Sequence, residues 1–227
     1  MIWENFNNWQ KRLWYVPEDV AKKVSSVKTG KNVAILEHKG EKIDLGYAIA
    51  ESANLMAKVH QGKGGLECEW AFNRGVYSLD CKIEEPIKIG LWHAPLWFVS
   101  ESKNEIMPEI DVCEAYYGVK KNHADIFRAL GIPSKWWIKT RRMETNLHFG
   151  KEYSSKHHHK EGNINHGSKG FTDWVTYKMV WDRDVEIFYN DKRVRVFKNF
   201  RSPANLIPII SATNGKIIAT NFSYSAF

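Results

Sequence analysis

The segment Val185-Glu186-Ile187-Phe188-Tyr189-Asn190-Asp191-Lys192-Arg193-Val194-Arg195-Val196 decides the fold class. On both sides of the Asn190-Asp191 pair, apolar residues occupy every second position, which is the period of a β-strand with one buried face. Asn and Asp favour the backbone conformation of a two-residue hairpin turn. The segment therefore predicts a β-hairpin with Asn190-Asp191 as its tight turn.

Short runs of β-branched and aromatic residues recur along the chain, each bounded by Gly, Asn, Asp or Pro. Helical periodicity is weak, and only 17–24 and 122–130 would form short helices. More than ten short strands predict an all-β fold, a sandwich of two antiparallel sheets. The 227 residues fit one all-β domain of roughly 200–250 residues, so we expect a single domain over 1–227. The runs are 32–36, 66–72, 76–83, 87–92, 109–114, 146–149, 176–181, 185–189, 193–197, 206–212 and 216–222, with 73–75 predicted to join the second run to the third.

The composition limits the classes of partner. Apolar residues make up 43% and charged residues 26%, which excludes a disordered chain and a coiled coil. No apolar run approaches the roughly 18 residues that span a bilayer, so we expect no membrane partner. The net charge of +7 permits an anionic partner, but the basic residues are scattered and form no nucleic-acid motif. We therefore expect no nucleic-acid partner. We also expect the protein to be a monomer.

Aromatic residues are in excess, at 13% with ten Trp, which suits a sandwich core or stacking on sugars or bases. Cys68, Cys81 and Cys113 match no zinc or redox spacing and are expected to be free thiols. The N-terminal residues show no export signal. Localisation therefore stays open: the protein is secreted if a signal peptide has been removed, and otherwise cytoplasmic or virion-associated.

The stretch 157–170 is rich in His, Lys, Gly and Asn, and it predicts a long polar loop. Its His157-His158-His159 triplet raises the question of a metal ion. Consecutive histidines on a loop rarely converge on one ion, and no Cys or Asp lies at ligand spacing. We therefore expect no metal there.

Three carboxylates lie close together in the otherwise apolar run Glu109-Ile110-Asp111-Val112-Cys113-Glu114. Like charges on one face repel each other, and their burial adds a desolvation cost. Glu109 and Asp111 share a face, whereas Glu114 would point to the opposite face of a regular strand. One extra residue, a β-bulge near Val112-Cys113, would return Glu114 to the face of the other two.

Carboxylates on one concave face suit glycoside hydrolysis with retention, which needs a nucleophile and a protonated acid roughly 5–5.5 Å apart. An intervening Asp can hold a proton between the two and keep their roles distinct. The E-x-D-x-x-E pattern is also short enough to occur by chance. An exposed edge strand whose carboxylates bind solvent or a metal ion is therefore an alternative that the spacing leaves open.

The run Glu109–Glu114 resembles the signature of glycoside hydrolase family 16, in the bulged form typical of laminarinases, agarases and carrageenases. Flanking segments resemble the family's other strands in the right order, from about residue 65 to the C-terminus. The matching segments are 65–70, 74–83, 90–98, 145–150, 176–181 and 185–191.

This resemblance implies a concanavalin-like β-jelly-roll with an open cleft across its concave sheet. It implies Glu109 as the nucleophile, Glu114 as general acid and then base, and Asp111 as the assisting carboxylate. The substrate-binding candidates are Trp92 and Trp97, which would stack on sugar rings, and His148, which would hydrogen bond to substrate. No metal is assigned to the site and no cofactor is required. A structural Ca²⁺ is common in the family, but its ligands cannot be placed on this sequence.

The resulting functional hypothesis is a retaining endo-hydrolase of a β-linked polysaccharide. A β-1,3-glucan of the laminarin type is the leading substrate, followed by a marine galactan such as agar, porphyran or carrageenan. The net charge of +7 would suit a sulfated chain. The alternative is a non-catalytic carbohydrate-binding or virion-associated sandwich, against which the cost of three clustered carboxylates argues.

Overall fold

The structure is a computed structural model, and it describes residues 2–4, 6, 14–15, 25–30, 32–38, 53–57, 59–62, 65–68, 72–84, 91–100, 108–118, 126–133, 140–149, 158–164, 173–200, 205–212 and 215–227. These ranges consist mainly of strands, with one helical turn at 126–129. No helix among the described residues is long and apolar enough to cross a membrane. The strands are β1 (Ile2–Glu4), β2 (Trp14–Tyr15), β3 (Ser25–Gly30), β4 (Val33–His38), β5 (Ala53–Ala57), β6 (Val59–Gly62), β7 (Gly65–Cys68), β8 (Gly75–Ile83), β9 (Leu91–Ser100), β10 (Glu109–Gly118), β11 (Thr140–Phe149), β12 (His158–Ile164), β13 (Trp174–Trp181), β14 (Val185–Tyr189), β15 (Lys192–Phe197), β16 (Leu206–Ala212) and β17 (Gly215–Ala226).

Two large antiparallel sheets carry most of these strands. Sheet A has the order β15-β14-β13-β8-β17-β4-β3, with β1 also pairing with β17. Sheet B has the order β12-β11-β10-β9-β16-β5-β2, and β6 pairs with β7 in a separate two-stranded sheet. The predicted all-β sandwich of two antiparallel sheets is confirmed.

The core lies between the two sheets. On β13 and β14 every second residue is buried and its neighbours are partly exposed, as expected for strands with one face on a core. Strand β16 of sheet B is buried along its whole length. The polar residues described below lie on β10 and β11, on the face of sheet B that points away from sheet A.

The hairpin predicted from the opening segment is confirmed. Asn190 and Asp191 have φ values of 47° and 62°, the left-handed conformation that a two-residue hairpin turn needs. The turn is tied to β13, because the Asn190 backbone N–H donates to the Thr176 carbonyl oxygen at 3.0 Å and the Thr176 N–H donates to Asn190 Oδ1 at 2.9 Å. This fixes the end of β14 in place.

Two sequence predictions about strands are wrong. The range 157–170 is not all loop, because β12 pairs with β11 along its whole length, at the edge of sheet B. An edge strand can be built from polar residues, so its sequence resembles that of a loop. The predicted hairpin across 73–75 does not form either, because β7 pairs with β6 while β8 lies between β13 and β17.

The predicted helices have a mixed outcome. Within 122–130 the structure has a helical turn at 126–129, whereas 122–125 and the whole of 17–24 lie outside the described residues. Cys81 and Cys113 are buried free thiols, as expected. The side chain of Cys68 lies outside the described part of the chain.

Candidate active site

The carboxylate strand β10 contains the predicted bulge. Asp111 pairs with Asn146 of β11, and the next pair in the register is Glu114 with Glu144. Two residues of β10, Val112-Cys113, thus lie opposite a single residue of β11. This extra residue is the β-bulge that the sequence predicts at this point, and the prediction is confirmed.

The bulge determines which side chains share a face. Without it, Glu114 would point into the core, because side chains alternate across a strand. With it, Val112 and Cys113 are both fully buried in the core, while Glu114 is only partly buried. Glu109, Asp111 and Glu114 therefore lie on the outer face of sheet B.

Strand β11 contributes the polar side chains next to these carboxylates. His148 pairs with Glu109 in the register, and its Nε2 atom lies 3.3 Å from Asp111 Oδ2. Asn146 Nδ2 donates a hydrogen bond to Glu114 Oε2. The structure thus brings together four of the predicted site residues, and it adds Asn146 to them.

Burial dominates the electrostatics of the site. It raises the pKa of Asp111 from 3.8 to about 7, against the lowering effect of a hydrogen bond with Glu109. Burial is also the largest cause that raises the pKa of Glu114 from 4.5 to about 8, and the negative charge of Asp111 raises it further. The nearby His148 and the hydrogen bond from Asn146 both lower that pKa. Glu114 is therefore mostly protonated at neutral pH.

The predicted stacking residues lie on the neighbouring strand β9. Trp97 pairs with Asp111 in the register and is 6% exposed. Its Nε1 donates to Ser211 Oγ at 2.8 Å, which fixes the orientation of the ring. Trp92 pairs with Tyr116 at the other end of the strand, and its side chain lies outside the described part of the chain. Stacking on sugar stays a prediction for both residues.

Three of the site residues also have the chemistry of a metal-binding set. Glu109, Asp111 and His148 each offer a ligand atom, and these atoms lie within 4.8 Å of one another. Two carboxylate oxygens and one imidazole nitrogen suit a zinc-like divalent ion. The expectation that the site contains no metal remains a prediction.

Sequence reasoning did not identify Asn146 as a site residue. The signal was available, because Asn146 lies two residues before His148 on one strand and so shares its face. What the sequence could not supply is the bulge-dependent register that places the Asn146 amide beside Glu114.

No protein-family model matches the chain, and no curated protein matches it. Solved structures do. A glycoside hydrolase family 16 endo-glucanase from Bacteroides ovatus has a TM-score of 0.63 at 15% identity, with 99% of both chains covered. LamA from Z. galactanivorans, solved with laminaritriose and laminaritetraose, has a TM-score of 0.59 at 14% identity, with 99% of this chain and 98% of that one covered. Porphyranase B from Zobellia galactanivorans has a TM-score of 0.57 at 11% identity, with 98% and 90% covered.

The chain has the fold of glycoside hydrolase family 16. The resemblance stated from the sequence motifs, and the jelly-roll sandwich that it implied, are confirmed at the level of the fold. At these identities the likeness concerns the architecture alone. Activity and substrate must be argued from the side chains of the site.

Proposed function

We propose that this protein is a retaining endo-hydrolase of a β-linked polysaccharide. The observation that supports this most is the bulge in β10, with Glu109, Asp111 and Glu114 on one face of sheet B. The pKa of Glu114, about 8, suits a general acid, because such a group must hold its proton at the working pH.

In the proposed mechanism, Glu109 attacks the anomeric carbon while Glu114 donates its proton to the leaving glycosidic oxygen. The carbon–oxygen bond breaks and a glycosyl ester forms on Glu109. Glu114, now ionised, takes a proton from water, whose oxygen attacks the anomeric carbon and releases the Glu109 carboxylate. Each carboxylate returns to its starting state.

Asp111 is proposed to assist by holding a proton. It shares a hydrogen bond with Glu109, and burial raises its pKa to about 7. A proton on Asp111 leaves Glu109 ionised, as a nucleophile must be. When Glu109 becomes an ester, the same hydrogen bond stabilises its carbonyl oxygen.

The substrate that we propose first is a β-1,3-glucan of the laminarin type, and a galactan is the second candidate. LamA, which shares the fold, was solved with laminari-oligosaccharides, and porphyranase B shares it too. The net charge of +7 would favour an anionic galactan. Trp92, Trp97 and His148 are the proposed substrate contacts.

A panel of glycans tests the activity. Wild type is incubated with laminarin, lichenan, agarose, porphyran and carrageenan, and released oligosaccharides are measured. Glu109→Gln and Glu114→Gln should each lose about 100-fold or more of the rate. Glu186→Gln is the matched control, since Glu186 lies on sheet A and pairs with Arg193 at 2.9 Å. Absence of products from every glycan, or unchanged products from both site variants, would refute the proposal.

The retaining mechanism has a separate test. A 2-fluoro glycoside with a dinitrophenolate leaving group should form a stable adduct, visible as a mass increase on the peptide that contains Glu109. Glu109→Gln should form none. Proton NMR of fresh product should show the β anomer first, because retention preserves the configuration of a β-linked substrate. An α anomer at early times would contradict the mechanism.

The alternative is a non-catalytic carbohydrate-binding or virion-associated domain, and it predicts a different pattern. Wild type would be retarded by a glycan in affinity electrophoresis, and no oligosaccharides would be released. Glu109→Gln and Glu114→Gln would bind as wild type does, because a binder does not need the protonated acid. That combination of results would replace the catalytic proposal.

A further inference from the structure

The bulge leaves one backbone position of the carboxylate strand without a strand partner. Val112 has no register partner on either β9 or β11, and its side chain is fully buried. A buried carbonyl group that lacks a hydrogen bond costs roughly as much free energy as a lost hydrogen bond. The bulge therefore needs a donor from elsewhere in the fold.

That donor comes from the opposite sheet. Tyr189 is buried at the end of β14 in sheet A, and its hydroxyl donates to the Val112 carbonyl oxygen at 2.8 Å, across the core. Its ring packs edge-on against Tyr177, with the ring centroids 5.0 Å apart. Tyr189 directly precedes the Asn190-Asp191 turn, which is tied to β13. The donor is therefore held by its ring contact and by the tied turn.

We propose that Tyr189 is a positioning residue for the carboxylate pair, because its hydroxyl fixes the bulge that sets Glu114 relative to Asp111. The inference rests on the proposed function of these carboxylates. Val112 lies between Asp111 and Glu114, so a rotation of its peptide group moves one carboxylate relative to the other. In the absence of the hydroxyl, the Val112 carbonyl loses this donor, and the bulge is held less firmly.

The chain offers a matched control. Tyr177 is the ring partner of Tyr189 and is equally buried, but its hydroxyl interacts with the Cys113 side chain and not with the Val112 carbonyl. Tyr189→Phe and Tyr177→Phe each remove one hydroxyl from the same core. Only the first removes the hydrogen bond to the backbone of the bulge.

Kinetics on the best glycan separates positioning from general stability. Tyr189→Phe should lower kcat by about 10- to 100-fold, as expected for a small displacement of a catalytic group. Its KM should stay within about two-fold of wild type, since no substrate contact is lost. Tyr177→Phe should keep both constants. An unchanged kcat in Tyr189→Phe, or an equal fall in both variants, would overturn the proposal.

A double variant tests whether Tyr189 acts through Glu114. In the Glu114→Gln background, adding Tyr189→Phe should cause little further loss, because the group being positioned no longer transfers a proton. Circular dichroism and thermal melting of each variant establish that it is folded. A full additional loss in the double variant would show that Tyr189 acts by another route.

A second measurement does not depend on turnover. A carboxyl-carbon NMR titration follows Glu114, with Glu114→Gln used to assign its signal among the facing groups Asp111, Glu144 and His148. Tyr189→Phe should shift the titration from the wild-type midpoint, and Tyr177→Phe should not. A titration that Tyr189→Phe leaves unmoved would overturn the inference. A shifted titration in a protein that cleaves no glycan would refute only the proposed function.

Discussion

Replacing Asp111 by Asn should move the alkaline limb of the pH–rate profile to lower pH. Asn has nearly the size of Asp and can still form hydrogen bonds, but it cannot carry a negative charge. Above about pH 7, where Asp111 is mostly ionised, its charge is the second largest cause, after burial, of the raised pKa of Glu114. When that charge is removed, Glu114 loses its proton at lower pH, and the general acid is exhausted earlier.

The size of the effect depends on pH in a way that identifies its cause. With a pKa of about 8, Glu114 is about half protonated at pH 8 and almost fully protonated at pH 6. A fall of one pKa unit, worth about 1.4 kcal/mol, lowers the protonated fraction at pH 8 to about 9% but leaves about 90% at pH 6. The charge effect is therefore roughly a five-fold loss of kcat/KM at pH 8 and almost none at pH 6.

The assay measures kcat/KM from about pH 5 to 9 for wild type, Asp111→Asn and the control Glu186→Gln. A loss of kcat/KM by the same factor at every pH would report the positioning role of Asp111. This constant factor can be divided out of the profile. The remaining pH-dependent loss reports the charge. An alkaline limb that stays near pH 8 in Asp111→Asn, or moves upward, would refute the electrostatic account of the acid.

Three further substitutions have effects whose direction is equally definite. Asn146→Ala removes a hydrogen bond that lowers the pKa of Glu114, so the alkaline limb of the pH–rate profile should move above pH 8. A shift of this limb to lower pH would contradict the prediction. Because folding raises the pKa of Glu114 from 4.5 to about 8, wild-type stability should fall as pH rises between these values. Glu114→Gln should thus gain about 3.5 kcal/mol relative to wild type from pH 5 to pH 8 in denaturant titrations, and a constant difference would speak against it. Gly75→Ala would place a Cβ against the Ser225 carbonyl oxygen and 2.7 Å from Tyr224 Cε2. It should lower stability by about 1–3 kcal/mol, and an unchanged melting temperature would disprove the clash.

The sequence predicted those features for which the signal is local. The hairpin around Asn190-Asp191 was predictable because its turn residues and the alternation on both sides lie within one short segment. The bulge at Val112-Cys113 was predictable for a different reason. Three carboxylates split between a core and an outer face would bury an unpaired charge, which a bulged strand avoids, although the spacing also allowed an exposed edge strand.

The sequence failed where pairing is decided by a distant partner. Strand β12 consists mainly of polar residues and, among the described strands, pairs with β11 alone, so its strand structure comes from its neighbour rather than from its own pattern. For β8 the strand itself was predicted from its pattern, but its partners are β13 and β17 and not the strand that precedes it. Adjacency in the sequence predicts a hairpin only when a turn of the right type joins the strands.

The site shows the same limit at the level of single side chains. The period of two indicates that Asn146 and His148 share a face, but only the register places the Asn146 amide against Glu114. The role of Tyr189 is harder still to predict, because its position in an alternating strand predicts only that its ring is buried in the core. Its partner Val112 lies 77 residues away, and the contact exists only once the two sheets stack. The hairpin that decides the fold class therefore also supplies, at its turn, the hydroxyl that reaches the bulge of the carboxylate strand.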